Sequence, residues 1–427
     1  MLNSNNKIIN TLVTNYINQL KKDNEDDITF NEANTSVLII AEIYEMLSDT
    51  NEIDEILLKN MRVIRRCIIE NKLYGNSAIF DGLSESALSL HAIYKNTGKF
   101  EKFYRKVNML LIEWTEEFLK YIDKENDLQI RFYDTILGIS GICNYLLLAN
   151  TNNKYDSTIK KILNKLIYIS GKRKINENYI PNWYIKNENL MTDKDKECFK
   201  DGYLNFGLSH GIAGPLVVLS KAYKKGIRVN GQIEAIRNII FEYKRLHYII
   251  DGSTYWTGLL DPKYYLENEA INNKVASRES WCYGAIGIAK AILLSATYID
   301  DNESSEWAYE IIKEKARLNI DKYMLLSDTL CHGFSGVLSI LVDTNKIYNN
   351  KDIENGIIKL EKHLLNNYNS NLKYGFYDTE IKVEGNNILK IQHDRNTVID
   401  GAGGILLTLL SKYNYGNDYY MYKLLIK

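Results

Sequence analysis

Two short cysteine motifs hold the side chains with the clearest chemical potential. Cys331 and His332 come directly before Gly333, and Cys282 lies two residues before Gly284. A third motif places His210 directly before a glycine, without a neighbouring cysteine. Thiolates and imidazoles are common zinc ligands in proteins. The motifs therefore offer four side chains that could bind a metal or move a proton.

These motifs are copies of one Gly-x-x-Gly pattern, called the glycine frame below. Six copies occur along the chain, and their first residues are glycines 82, 138, 211, 284, 333 and 401. The first copy is degenerate, because Glu85 stands in place of its second glycine. Internal repeats of this kind determine a whole fold. In a closed ring, equivalent positions at helix starts point toward one axis, so the side chains before these glycines are expected to converge.

Convergence of Cys282, Cys331 and His332 would produce a metal site. Two thiolates and one imidazole match zinc, and three protein ligands leave a fourth position open, as in catalytic zinc sites. We therefore predict that these three residues bind Zn²⁺. His210 lies in the equivalent position of another frame and is expected near this site.

Each of these residues also has a purely structural explanation. Buried cysteines such as Cys282 and Cys331 can act as small hydrophobic side chains. His210 could be a helix N-terminal histidine that bonds to the backbone. Asp81 and Asp400 occupy the position before a frame glycine, and for them a role as helix N-caps is the favoured interpretation.

Two kinds of helix are predicted to position the frames. Some segments have a single apolar stripe, which is typical of a helix on the surface: 7–21, 53–68, 101–122, 305–320 and 351–365. The segments that follow the frames are apolar on all sides, which is typical of buried helices: 137–149, 211–222, 285–299, 334–343 and 402–413. A further helix is predicted at 36–48. Alternation of the two kinds over six repeats predicts an all-α protein, an α/α toroid in which inner helices are ringed by outer ones.

One region interrupts this alternation. Residues 171–206 combine aromatic and β-branched residues with turn formers, a pattern that indicates short strands. We predict a first toroid part at 1–170, a small inserted β-containing element at 171–206 and a second toroid part at 207–427. A hairpin-like excursion is also expected at 371–396.

Composition narrows the class of protein. The formal net charge of −1 over 427 residues gives no reason to expect nucleic-acid binding, and the apolar fraction of 45% suffices for a large core. Residues 1–22 lack the apolar core of a secretory signal, and the five cysteines are an odd number. Reduced thiols in the cytoplasm are therefore expected. The uncharged segment 135–153 is interpreted as a buried helix.

The chain resembles the lanthipeptide cyclase (LanC-like) family. The resemblance rests on Trp281-Cys282-Tyr283-Gly284, on Cys331-His332-Gly333, on Ser209-His210-Gly211 and on the frame repeats over most of the length. It implies an α/α toroid with a small inserted domain and a zinc ion held by two cysteines and a histidine. It also implies thioether ring closure, in which cysteine thiols of a ribosomal precursor peptide add to dehydroalanine or dehydrobutyrine.

The resemblance further implies roles for four residues. His210 matches the family's acid/base histidine, Asp134 its active-site aspartate and Arg278 its active-site arginine. Tyr283 is expected to donate a hydrogen bond. The implied substrate is a dehydrated precursor peptide with leader and core. A separate dehydratase and a transporter are implied partners, and a complex with them would bring a cytoplasmic enzyme to the membrane surface.

Other functions stay open from the sequence. A related enzyme could add glutathione or another small thiol to dehydrated peptides. A toroidal prenyltransferase subunit also binds zinc through Asp, Cys and His, but it lacks the paired cysteine motifs. A peptide-binding scaffold of a modification complex needs none of the three zinc ligands, all of which are present here.

Overall fold

The computed structural model describes residues 7–47, 50–175, 177–268, 276–384 and 387–427. Within these residues, seven helices with few exposed side chains form an inner ring. Their bounds are Phe30–Ile43, Leu83–Thr97, Ile139–Ala149, Ala213–Lys224, Ala285–Tyr298, Phe334–Tyr348 and Ala402–Lys412. Each packs against the next, and the last packs against the first. The ring is therefore closed, as the sequence predicted.

An outer layer of amphipathic helices surrounds the ring. Their bounds are Lys7–Lys22, Asn51–Ile69, Glu101–Lys124, Asp156–Ile169, Gln232–Leu246, Asn302–Ala316 and Lys351–Asn367. Six inner helices pair with the outer helix that follows them in sequence. The inner helix Ala402–Lys412 pairs instead with Lys7–Lys22, from the other end of the sequence. This α/α toroid confirms the predicted fold class.

The described ring holds seven helix pairs, so the prediction of six repeats was one too few. The additional inner helix, Phe30–Ile43, has no glycine frame before it. It begins instead at a capping box, in which Thr29 and Glu32 each bond the other's backbone N–H. The sequence interpretation placed this helix at 36–48, several residues too late, because it followed the apolar run and missed the cap.

Short strands and short helices form the excursions from the toroid. In the part of the chain that the structure describes, the strands pair as four antiparallel ribbons: Lys172–Ile175 with Asn178–Pro181, Leu204–Asn205 with Leu259–Leu260, Tyr248–Ile250 with Ser253–Tyr255, and Asp378–Glu384 with Asn387–His393. The short helices are Ile130–Tyr133, Asp193–Cys198, Pro262–Leu266 and Tyr419–Lys423. Four 3₁₀ turns lie at Glu25–Asp27, Tyr44–Met46, Asn187–Asn189 and Ile320–Tyr323. The first ribbon lies within the predicted insert 171–206, whose limits as a domain stay a prediction.

The C-terminal segment fills the interior of the ring. The short helix Tyr419–Lys423 contacts three inner helices, and Leu424, Leu425 and Ile426 have no exposed surface. The carbonyl of Leu424 accepts a hydrogen bond of 2.8 Å from the indole of the fully buried Trp281. The tail therefore packs directly behind one of the cysteine motifs.

A buried ion pair joins this tail to the first glycine frame. Lys423 Nζ lies 2.5 Å from Glu85 Oε1, and the two side chains are 2% and 3% exposed. Glu85 replaces the second glycine of its frame, and the pair explains why a carboxylate is accommodated there. A buried charge that loses its partner is costly, because neither water nor a counter-ion compensates it.

Replacing Lys423 with methionine is therefore expected to destabilise the protein by about 3–5 kcal/mol. Chemical denaturation followed by circular dichroism measures the loss. A matched control is Lys21→Met, which breaks an ion pair whose side chains are 37% and 67% exposed. That change is expected to cost about 0–1 kcal/mol. Equal losses in the two variants would contradict the structural role of the buried pair.

Candidate active site

Backbone hydrogen bonds join neighbouring glycine frames around one end of the ring. The Thr135 amide donates to the Ser209 carbonyl at 3.0 Å, and the Leu208 amide donates to the Cys282 carbonyl at 2.8 Å. The Cys282 amide donates in turn to the Cys331 carbonyl at 3.3 Å. Frames that are far apart in sequence therefore lie side by side, because each begins an inner helix at the same level of the toroid.

Close approach at this level requires glycine in the frames. A Cβ atom at Gly336 would lie 3.0 Å from the Cβ of Trp281 and would overlap the carbonyl of Leu330. Because the second glycine of the frame has no side chain, the first turn of the inner helix can pack directly against the backbone of the loop before it.

The thiols of Cys282 and Cys331 meet at the junction of two frames. They lie near enough to influence each other, and the Cys282 sulfur also lies 3.3 Å from Ser280 Oγ. The neighbouring Cys331 thiol lowers the pKa of Cys282 and outweighs the opposing effect of burial. The nearby charges of Arg278 and His332 lower it further. One thiolate is thus favoured in this pair.

His332 lies between this thiol pair and a buried carboxylate. Its Nε2 atom lies 3.6 Å from Oδ1 of Asp378, which begins the strand Asp378–Glu384. The same Oδ1 accepts a hydrogen bond of 2.7 Å from Ser327 Oγ. Oδ2 has no hydrogen-bond partner among the residues that the structure describes. The interaction with Asp378 raises the pKa of His332 above its ordinary value.

His210 belongs to a second pair on the same end of the ring. Its Nδ1 atom lies 2.5 Å from Oδ2 of Asp134, and the other oxygen of Asp134 accepts bonds from the amides of Leu137 and Gly138 at 2.8 and 2.6 Å. Asp134 is fully buried and His210 is partly exposed. The carboxylate therefore fixes the ring through Nδ1 and leaves Nε2 for other contacts.

Arg278 and Tyr283 flank the cysteine pair. Arg278 is exposed, yet its charge acts on Cys282, Cys331 and His332. The hydroxyl of Tyr283 accepts a hydrogen bond of 3.0 Å from Asn205 Nδ2. All seven predicted site residues therefore lie at the frame end of the ring, and Tyr283 is already engaged with a neighbour there.

The prediction that Asp81 and Asp400 cap helices was wrong. Their helices begin after Gly82 and Gly401, without a hydrogen bond from any capping side chain. Asp400 bonds instead to Arg395 at 2.6 Å and to Thr397 at 2.5 Å. A left-handed φ of 59° at Asp81 turns its backbone away from the N-cap conformation, which is usually extended.

The donor atoms allow two arrangements for a metal. Cys282, Cys331 and His332 provide two sulfur atoms and one nitrogen, a set that suits Zn²⁺. Among the described residues, however, the donor atoms that all lie within 4.8 Å of one another are those of His332, Asp378 and Glu380, and not those of the first set. The first set fits zinc better in its chemistry, because it offers two neighbouring thiols, one buried and one half-buried, of which one is favoured as thiolate, whereas Glu380 is exposed to water. Asp378 was not singled out from the sequence, since it lies outside every frame.

Comparison with known proteins places this geometry in a family. The lanthionine synthetase C-like protein family matches residues 35–424, which include every frame. The chain belongs to the lanthionine synthetase C-like family. This confirms the resemblance inferred from the cysteine motifs.

Individual relatives agree with the family assignment. The chain is 27% identical over 408 residues to the nisin biosynthesis protein NisC of Lactococcus lactis subsp. lactis, covering 93% of this chain and 89% of that protein. Its fold matches that of a solved nisin cyclase with a TM-score of 0.77 and 23% identity, over 98% and 97% of the two chains. Within its described residues, this family member has no helix that is long and apolar enough to cross a membrane.

Proposed function

We propose that this protein is a zinc-dependent lanthipeptide cyclase. It would close thioether rings by adding cysteine thiols of a precursor peptide to dehydroalanine or dehydrobutyrine. The observation that carries the proposal is the convergence of the two thiols, His332 and the His210–Asp134 pair at one end of the toroid. Membership of the lanthionine synthetase C-like family supports the same reaction.

Cys282, Cys331 and His332 would hold the zinc ion. Zinc, when bound there, supplies a Lewis acid that lowers the pKa of a substrate thiol. The two protein thiolates would offset the charge of the metal, which would help a substrate sulfur to keep its nucleophilic character.

The remaining residues would handle charge and protons during the addition. The S–H bond of the substrate thiol breaks and its proton passes to water; a bond then forms between the sulfur and the β-carbon of the dehydro residue, and the alkene electron pair moves to the α-carbon. Arg278 would stabilise the resulting enolate, a role that its electrostatic effect on both cysteines supports. His210 would then give a proton to the α-carbon, while Asp134 orients it through Nδ1. Tyr283 would donate a hydrogen bond.

The reaction requires partners of defined chemistry. The alkene arises when serine or threonine loses water, and no step assigned to the residues above performs that elimination. A separate dehydratase must therefore supply the peptide, and we propose that it works with this cyclase and a transporter in one complex.

The direct test incubates the protein with a dehydrated nisin precursor peptide. Loss of alkylatable thiols without a change in peptide mass shows ring closure, because addition within one molecule conserves mass. A mass increase equal to one glutathione, when glutathione is present, would indicate intermolecular thiol addition instead. Peptide binding without loss of thiols would favour a scaffold and contradict the proposed cyclase.

Asp378 is expected to strengthen zinc binding by orienting His332. A carboxylate near one imidazole nitrogen fixes the ring and makes the other nitrogen a better ligand. Asp378→Asn keeps the shape and an oxygen for Ser327 but removes the charge. Zinc affinity, measured by competition with a chelator, is expected to fall about 10–100-fold.

The exposed neighbour Glu380 provides the matched control. Glu380→Gln is expected to leave zinc affinity unchanged, because Glu380 is not a ligand in the proposed site. A large loss in Glu380→Gln would favour the alternative set of His332, Asp378 and Glu380. Unchanged affinity in Asp378→Asn would show that the carboxylate does not orient His332.

A further inference from the structure

An aromatic groove is lined in part by Arg131 and Leu137, which lie three residues to either side of Asp134. It has a volume of about 380 Å³ and is formed by the loop before the inner helix Leu83–Thr97, the end of the outer helix Glu101–Lys124, and the start of the second glycine frame. Its lining residues include Tyr74, Phe118, Tyr121, Arg131 and Leu137. A groove of this size falls within the range typical of ligand sites.

One loop links the groove to the candidate active site. Leu137 forms part of its wall, and the amide of Leu137 donates a hydrogen bond of 2.8 Å to Oδ1 of Asp134. The other oxygen of Asp134 holds His210 at 2.5 Å. Two hydrogen bonds through the buried Asp134 therefore connect the wall of the groove to His210.

Tyr74 is placed in this groove at a cost to folding. Its backbone has a left-handed φ of 49°, a region that bulky residues other than glycine rarely adopt. Its side chain is 89% exposed and so contributes little to the core. Stability alone does not explain an aromatic residue in this conformation, and strained positions of this kind cluster at functional sites.

The charge of the groove indicates what it would bind. Arg131 is the one charged residue of the lining. It bonds the neutral Gln129 side chain at 2.7 Å and the Tyr121 hydroxyl at 3.3 Å, and no ion pair with a carboxylate forms among the described residues. Three aromatic rings offer apolar faces, and a guanidinium group offers donors for carbonyl oxygens. This combination suits an extended peptide segment.

We propose that this groove binds the core segment of the dehydrated precursor peptide next to the reacting residue. The inference rests on the proposed cyclase function and adds the surface that holds its substrate. The core segment is favoured over a leader segment because the groove begins one hydrogen bond away from Asp134. Apolar side chains of the core would pack on Tyr74 and Tyr121, and its backbone carbonyls would face Arg131.

The test replaces Tyr74 with asparagine, which tolerates the left-handed conformation. Binding of a fluorescein-labelled dehydrated nisin precursor, followed by anisotropy, is expected to weaken about tenfold, as is usual for an aromatic contact at an interface. The KM for thiol loss should rise by a similar factor with kcat and zinc content unchanged, and the melting temperature should not fall, because asparagine adopts the left-handed φ more readily than tyrosine. Arg131→Gln is expected to weaken binding in the same direction.

Phe241→Asn is the matched control, because Phe241 is 60% exposed on the outer helix Gln232–Leu246 and does not line the groove. It should bind the peptide as the unaltered protein does. Equal binding by the unaltered protein and Tyr74→Asn would overturn the groove proposal, whether or not rings form. Binding that depends on Tyr74, without thiol loss, would overturn the cyclase function but support the groove. Weakened binding of the isolated leader peptide in Tyr74→Asn would assign the groove to the leader and contradict the core proposal.

Discussion

Replacing Cys282 with alanine is expected to abolish zinc binding and thioether formation while the helical ring stays folded. Zinc should fall from about one ion per chain to background, because two ligands rarely retain the metal against water. The fold should persist because the hydrogen bonds of Cys282 to Leu208 and Cys331 use backbone atoms, which alanine keeps. Elemental analysis, circular dichroism and the count of free thiols on a dehydrated peptide measure the three effects.

Cys143→Ala is the matched control for this change. Cys143 is also buried, but it lies inside the helix Ile139–Ala149 and is not one of the proposed zinc ligands. Its loss is expected to lower stability without loss of zinc. Full zinc occupancy in both Cys282→Ala and Cys331→Ala would refute the proposed ligands. Loss of zinc in Glu380→Gln alone would then identify the carboxylate cluster as the metal site.

His210→Ala is expected to slow ring closure by about 10²–10⁴-fold while zinc content and peptide affinity stay unchanged. That range is usual when a positioned proton-transfer group is removed. Zinc should remain because His210 bonds Asp134 through Nδ1 and is not among the proposed ligands. The rate of thiol loss, zinc content and peptide anisotropy separate the catalytic role from a metal-binding one.

His247 offers a histidine with a plainly structural role for comparison. Its Nδ1 lies 2.7 Å from the carbonyl of Lys244, and its ring packs on Trp307. His247→Ala should leave the rate of thiol loss unchanged. A near-normal rate in His210→Ala would make His210 structural as well. Loss of zinc in His210→Ala would instead make it a fourth ligand, and the site would then lack an open position for substrate.

The glycine frames explain why much of this arrangement was predictable. Because each frame begins an inner helix, the residues before Gly211, Gly284 and Gly333 had to meet once the ring closed. The backbone bonds from Leu208 to Cys282 and from Cys282 to Cys331 show that they do. Because the same local geometry repeats in every frame, the sequence alone predicts that these residues meet.

Features outside the frames could not be predicted in the same way. The first inner helix begins at a capping box formed by Thr29, a local signal that the spacing of apolar residues does not contain. Asp378 reaches His332 through a hairpin between two repeats, and nothing in its neighbouring residues indicates that contact. The pairing of Leu204 with Leu260 likewise joins strands on either side of a whole helix pair. Such contacts depend on tertiary packing, which periodicity does not encode.

The C-terminal segment inside the ring has a consequence for the order of events during synthesis. Residues 402–427 leave the ribosome after the other inner helices, yet they supply the helix that closes the ring and the chain that fills it. Until then, the apolar walls around Trp281 lack their cover, and a nascent chain with exposed apolar surface tends to aggregate. Folding of the catalytic end is therefore expected to finish only after residues 402–427 have left the ribosome, and a chain interrupted before residue 402 should need a chaperone to remain in solution.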